Sequence, residues 1–192
     1  MKPVLITLLL LATLGALVWA SPQDKTLGDV VKAIYIHGAL VRVGEAAFIL
    51  AGVLGVAFLV RGWPWAWTWS WAVQRTALLF WLAYYLSSLV TMTLAWGGIN
   101  WVEPRFVAAS QSLAVGAVAF AVAYLLERPR VSALINTAVG LFMVARVTLA
   151  PPVFHPVDAI GESALLVRGY YYLITLVVAA LAFQLARFLR TA

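Results

Sequence analysis

Cysteine is absent from the 192-residue chain, so disulfide exchange, thiolate metal sites and thioether chemistry by its own residues are excluded. Charge is scarce: Asp, Glu, Lys and Arg make up 10%, against roughly 25% in a typical soluble domain. Histidine occurs only twice. No nucleophile–base pair and no phosphate-cradling loop can be picked out, so hydrolase and kinase readings fall away and the chain is not expected to be an enzyme. What remains is apolar. Hydrophobic residues make up 65% of the chain, and runs of about 20 of them predict membrane-spanning helices, because only a helix satisfies its own backbone polar groups in lipid. The formal charge of +6 does not point to nucleic acid, since the basic residues are scattered over loop ends.

The expected fold is all-α: a polytopic six-helix transmembrane bundle forming one membrane domain over 1–192. Its helices are expected at about 3–20, 33–60, 76–95, 106–126, 131–149 and 164–185. The first run, with Lys2 ahead of it and Val18 and Ala20 near its end, also resembles a signal peptide. A retained anchor is the expectation, and cleavage would leave the other helices where they are. With six spans, Lys2, Arg61, Arg75, Arg128, Arg130, Arg187 and Arg190 share one side with a single acid, Glu127. The other side holds Lys25, Lys32, Arg105 and Arg168 among Asp24, Asp29, Glu103, Asp158 and Glu162. The positive-inside rule then puts both termini in the cytoplasm.

Several spans carry polar groups that lipid does not favour. Helix two contains His37, Arg42 and Glu45; Arg42 and Glu45 are three apart and are expected to pair. Helix five contains Asn136 and Arg146. The segment 61–75, with Trp63, Trp65, Trp67, Trp69 and Trp71 at every second position, is expected to be an interfacial aromatic loop lying along the headgroups. The short loop 96–105 reads Trp-Gly-Gly-Ile-Asn-Trp-Val-Glu-Pro-Arg and emerges on the outer side. Both histidines, His37 and His155, fall on that side too. Two imidazoles facing across a gap, with indole walls and arginines Arg42, Arg105, Arg146 and Arg168 nearby, suit haem b: axial nitrogens for the iron, aromatic cover for the porphyrin, guanidinium groups for the propionates. Zinc is less attractive, because no third ligand accompanies either histidine.

Gly28-Asp29 followed by Ile34-Tyr35-Ile36-His37 resembles, without gaps, the segment entering the second helix of CcmC-type haem-handling proteins of cytochrome c maturation. Trp96, Gly97 and Pro104-Arg105 resemble the two ends of the tryptophan-rich signature of the same superfamily, which includes the CcmF and CcsA types, with Glu103 where Asp is usual. Phe154-His155-Pro156 looks like its apolar-His-Pro signature before the last helix, and Asn136 matches a family asparagine more weakly. The resemblance implies that His37 and His155 are axial haem ligands and that Trp96, Gly97, Trp101, Glu103 and Arg105 form the haem-contacting loop. It departs at the centre of the signature, where Ile99, Asn100 and Val102 replace tryptophans, and at Gly38, where the family commonly has Val before Pro.

Three readings stay open. The first is a haem-binding assembly protein in a bacterial inner membrane, holding haem at the extracytoplasmic surface for a haem carrier or apocytochrome, beside other membrane subunits. The second is an electron-transfer or structural subunit of a respiratory complex with a fixed haem b. The third is a haem-free scaffold.

Overall fold

The computed structural model describes residues 2–25, 27–151 and 164–191. Among them run six α-helices: α1 (Lys2–Ala20), α2 (Val30–Arg61), α3 (Pro64–Trp96), α4 (Pro104–Leu126), α5 (Pro129–Leu149) and α6 (Leu165–Thr191). Each is long and apolar enough to cross a membrane, and together they suggest a multi-pass membrane protein.

Local chemistry sets the helix ends. Pro64, Pro104 and Pro129 begin α3, α4 and α5, where an N–H would have no intrahelical partner anyway. Gly62 and Gly97 stop α2 and α3 in the left-handed conformation, at φ 69° and 74°, and their N–H groups donate to the Phe58 and Thr93 carbonyls. The loop expected over 61–75 is therefore helix from Pro64 onward, and only Gly62 and Trp63 connect α2 to α3. On a helix, tryptophans two apart point to different sides. Trp67 and Trp71, four apart, stack at 5.7 Å; Trp69 instead stacks on Phe183 of α6, and Trp71 on Phe120 of α4.

Helix α2 is the centre, packed on α3, α5 and α6; α4 lies on α3 and α5, and α1 on α6 and the edge of α2. Small residues let α2 and α5 touch backbone to backbone. A Cβ added at Gly55 would stand 2.7 Å from the Ala133 carbonyl oxygen, and one at Gly140 2.9 Å from that of Phe48. Polar groups at the same depth satisfy one another: Asn136 donates to Ser70 Oγ at 3.0 Å, and Ser70 donates to the Ala51 carbonyl at 2.8 Å. Asn136, expected from sequence as a weak family match, thus ties α5, α3 and α2 together. The fully buried Trp81 packs edge-on against Phe48 and donates its indole N–H to the Ala109 carbonyl at 3.1 Å.

The linker between α1 and α2 turns at Gly28 (φ 56°), whose backbone exchanges two hydrogen bonds with that of Asp24. It is pinned by the buried Tyr35, which donates to the Pro22 carbonyl, and by Lys32, which donates to the Trp19 carbonyl at the end of α1. Lys32 also pairs with Asp29 at 2.9 Å; its hydrogen bond, with one from Gln23, holds the Asp29 carboxyl below the usual carboxylate range.

The helices differ in length. At 1.5 Å per residue, α2 and α3 are about 50 Å long, but α4 and α5 only about 35 and 32 Å. Phe106, in the first turn of α4, stacks on Tyr85, so α3 runs on to Trp96 about 16 Å past the start of α4. The last turn of α5 borders Glu45, about 22 Å below the first residue of α2. One end of the bundle is therefore a step. Its wall is the outer turns of α2 and α3, with α6 beside them, and its floor is the start of α4 and the end of α5.

Candidate functional site

His37 stands on that wall, about 10 Å below the start of α2. It is half-buried, its Nδ1 is 3.1 Å from Ser87 Oγ on α3, and its ring lies 5.0 Å from that of Tyr84. The Ser87 hydroxyl donates its own proton to the Tyr84 carbonyl at 2.7 Å. The His37–Ser87 contact holds the ring through Nδ1 and leaves Nε2 as the nitrogen on its far side. A histidine that ligates a metal is normally oriented in this way, by a hydrogen bond at its other nitrogen. The following residue matters as well. Tyr171 of α6 lies across Gly38 and donates to its carbonyl at 3.3 Å, and a Cβ on Gly38 would stand 2.9 Å from the Tyr171 ring. The missing side chain lets α6 dock at the level of His37.

Below His37 is a group of charges. The Arg42 and Arg105 guanidinium groups both act electrostatically on the Glu45 carboxylate, and Glu45, Glu103 and Arg105 act on the Tyr84 phenol. Arg42 and Glu45 do not form the expected ion pair; among the described residues the one ion pair is Lys32 with Asp29. Arg42 is exposed and Arg105 half-buried. A small crevice of about 110 Å³ opens beside Glu45, between α2 and α5.

The loop from Trp96 to Val102 descends the step to α4 and lines a wide-open concave surface. Trp96 and Trp101 line it with exposed indoles, and Trp101 rests edge-on against Phe106. Asn100 holds the turn by accepting from the Val102 N–H at 3.2 Å. Glu103, expected in the haem-contacting loop, is fully buried, and its Oε2 accepts from the Phe106 N–H at 2.6 Å, capping α4. Gly97 ends α3.

The remaining expected residues are dispersed. Arg146 donates to Gln111 Oε1, bracing α5 on α4. Arg168 is half-buried in the first turn of α6, its Nε without a hydrogen-bond partner among the described residues. His155 lies outside the described residues. The structure thus joins His37 to Tyr84 and Ser87, joins Arg42, Glu45 and Arg105 electrostatically, and sets Trp96 and Trp101 around one concavity. Ser87, Tyr84 and Tyr171 were missed from sequence. The one signal was hydroxyls at 84, 87 and 88 in an otherwise apolar run, which does not say which helix they face.

The described donors fit a haem. A half-exposed imidazole is held at Nδ1, a tyrosine ring lies beside it, and Arg42 and Arg105 have no carboxylate in ion-pair contact among the described residues. Compared with known proteins, the chain matches no family model, no curated protein and no solved structure.

Proposed function

We propose that this chain is a multi-pass membrane protein that holds haem b on the stepped end of its bundle, facing away from the cytoplasm, for transfer to a haem carrier or apocytochrome during cytochrome c maturation. The observation that carries the reading is the His37–Ser87 bond, which holds the imidazole at Nδ1 on the stepped end of the bundle. His37 and His155 would hold the iron, Trp96 and Trp101 would shield the ring, and Arg42 and Arg105 would meet the propionates, with Arg146 and Arg168 further candidates. Bound haem supplies the redox-active iron. The chain's residues orient it, shield it and release it, with no bond chemistry of their own. The excess of Lys and Arg at the opposite end supports cytoplasmic termini in a bacterial inner membrane.

The test is the absorption spectrum of purified protein, oxidised and dithionite-reduced, for wild type and His37→Ala and His155→Ala. A Soret band with sharp reduced visible bands, lost in both variants together with cytochrome c maturation in cells, is the expected result. Tryptophan absorption alone, even after haem is added, would end the haem claim and leave a scaffold.

A second reading has its own observation. His37 is about two turns below the helix end, and at the next residue, Gly38, α6 docks on α2 through Tyr171, a setting that suits a haem retained for electron transfer. Haem that passes to an excess of apo-acceptor within minutes supports assembly; haem that stays through purification and cycles with a quinol supports the electron carrier.

A further inference from the structure

At the end of the bundle away from His37, four arginines lie over aromatic rings: Arg61 over Trp63, Arg75 over Trp71, Arg187 over Phe183 and Arg190 over Trp69. Two of these pairs are joined. Trp69 and Phe183 stack with centroids 6.0 Å apart and planes within 9°, so Arg187, Phe183, Trp69 and Arg190 form one strip across α3 and α6. Phe183, Arg187 and Arg190 are exposed and Trp69 is half-exposed. From this strip we infer a binding site for the phosphate headgroup of an anionic phospholipid.

Basic residues at a helix C-terminus are stabilising by themselves, because they face the partial negative charge of the last carbonyls. Here that role belongs to a different residue. Arg75, from α3, donates to the Leu189 carbonyl, whereas Arg187 and Arg190 lie over Phe183 and Trp69 at 5.9 and 4.7 Å. Among the described residues no carboxylate forms an ion pair with either. A guanidinium held over a ring has lost much of its rotational freedom but keeps N–H groups directed outward in its plane, the geometry that grips a phosphate through two hydrogen bonds. Of the two rings beneath, the Trp69 indole is at home where acyl chain gives way to headgroup. A net negative headgroup is favoured over a zwitterionic one, since two cations must be balanced and no choline is wanted.

The experiment uses full-length protein stripped of lipid in neutral detergent and then mixed with phosphatidylglycerol or phosphatidylcholine, with bound lipid counted by native mass spectrometry. Phosphatidylglycerol should bind about ten-fold tighter than phosphatidylcholine. Arg187→Gln with Arg190→Gln should erase that preference, and Arg128→Gln with Arg130→Gln, on the α4–α5 turn, should leave it intact. Arg187→Lys with Arg190→Lys keeps the charge but loses the planar guanidinium, and an intermediate preference is expected. Equal binding of both lipids, or full preference in the double glutamine variant, overturns the proposal. So does displacement by millimolar inorganic phosphate, which would assign the strip to free phosphate, or preference appearing only with a co-purified acidic subunit, which would make it a protein contact.

Discussion

His37 and Ser87, 50 residues apart in sequence, meet at 3.1 Å across the α2–α3 interface, and Ser87 Oγ also lies 2.7 Å from the Tyr84 carbonyl. The bond holds the imidazole by one ring nitrogen. Ser87→Ala removes this hydrogen-bond partner while leaving His37 in place. Loss of such an orienting partner costs about 10- to 100-fold in metal affinity, so the variant is expected to bind added haem at least about ten-fold more weakly than wild type. A haem titration followed at the Soret band measures it. Unchanged affinity in Ser87→Ala would remove the hydroxyl from the site.

Glu103 distinguishes a structural residue from a ligand-contacting one. Its carboxylate caps α4 from a fully buried position, so Glu103→Ala is expected to destabilise the haem-free protein by about 0.5–2 kcal/mol. Glu103→Asp, which keeps a capping oxygen, should recover most of the loss. Thermal unfolding in detergent, without haem, reads both. A Glu103→Ala protein as stable as wild type would disprove the capping role.

Gly55 and Gly15 separate packing from helix propensity. Alanine at Gly55 places its methyl 2.7 Å from a backbone oxygen of α5, while alanine at Gly15 meets nothing within 4 Å. Gly55→Ala is expected to cost about 1–3 kcal/mol. Gly15→Ala should be neutral or stabilising by up to about 1 kcal/mol. Equal unfolding temperatures for the two variants would contradict the close α2–α5 approach.

Gly38 and Tyr171 should be coupled. Gly38→Val pushes branched methyls into the Tyr171 ring and is expected to cost about 1–3 kcal/mol. In a Tyr171→Ala background the same substitution should cost little, giving an interaction energy of about 0.5–3 kcal/mol. Additive effects would show that α6 does not dock on α2 at this point.

The six spans were legible because apolar runs of membrane length leave few alternatives, and the described helices follow them. The error at 61–75 came from weighing five alternating indoles above the punctuation around them: Gly62 and Pro64 end one helix and start the next within two residues. The Arg42–Glu45 spacing permitted a pair, but Arg42 is exposed and Arg105, from another helix, also acts on Glu45. Within the candidate site, His37 and the loop tryptophans could be picked out by residue type. Ser87, Tyr84 and Tyr171 could not, because a helix sequence gives the faces of that helix and not the neighbour each face meets. The buried Asn136–Ser70 bond escaped for the same reason.

The unequal helix lengths carry a consequence for traffic. Leu86, Val90 and Leu94 remain exposed on the part of α3 that overtops α4, so the molecule has no single hydrophobic thickness: tall on one flank, short on the other. A bilayer meets such a body most cheaply by letting it lean. Leaning lowers the tall flank and sinks the recess beneath it toward the headgroup plane. On the haem-holding reading proposed above, such a lean would let the ligand approach His37 sideways from the lipid rather than from above.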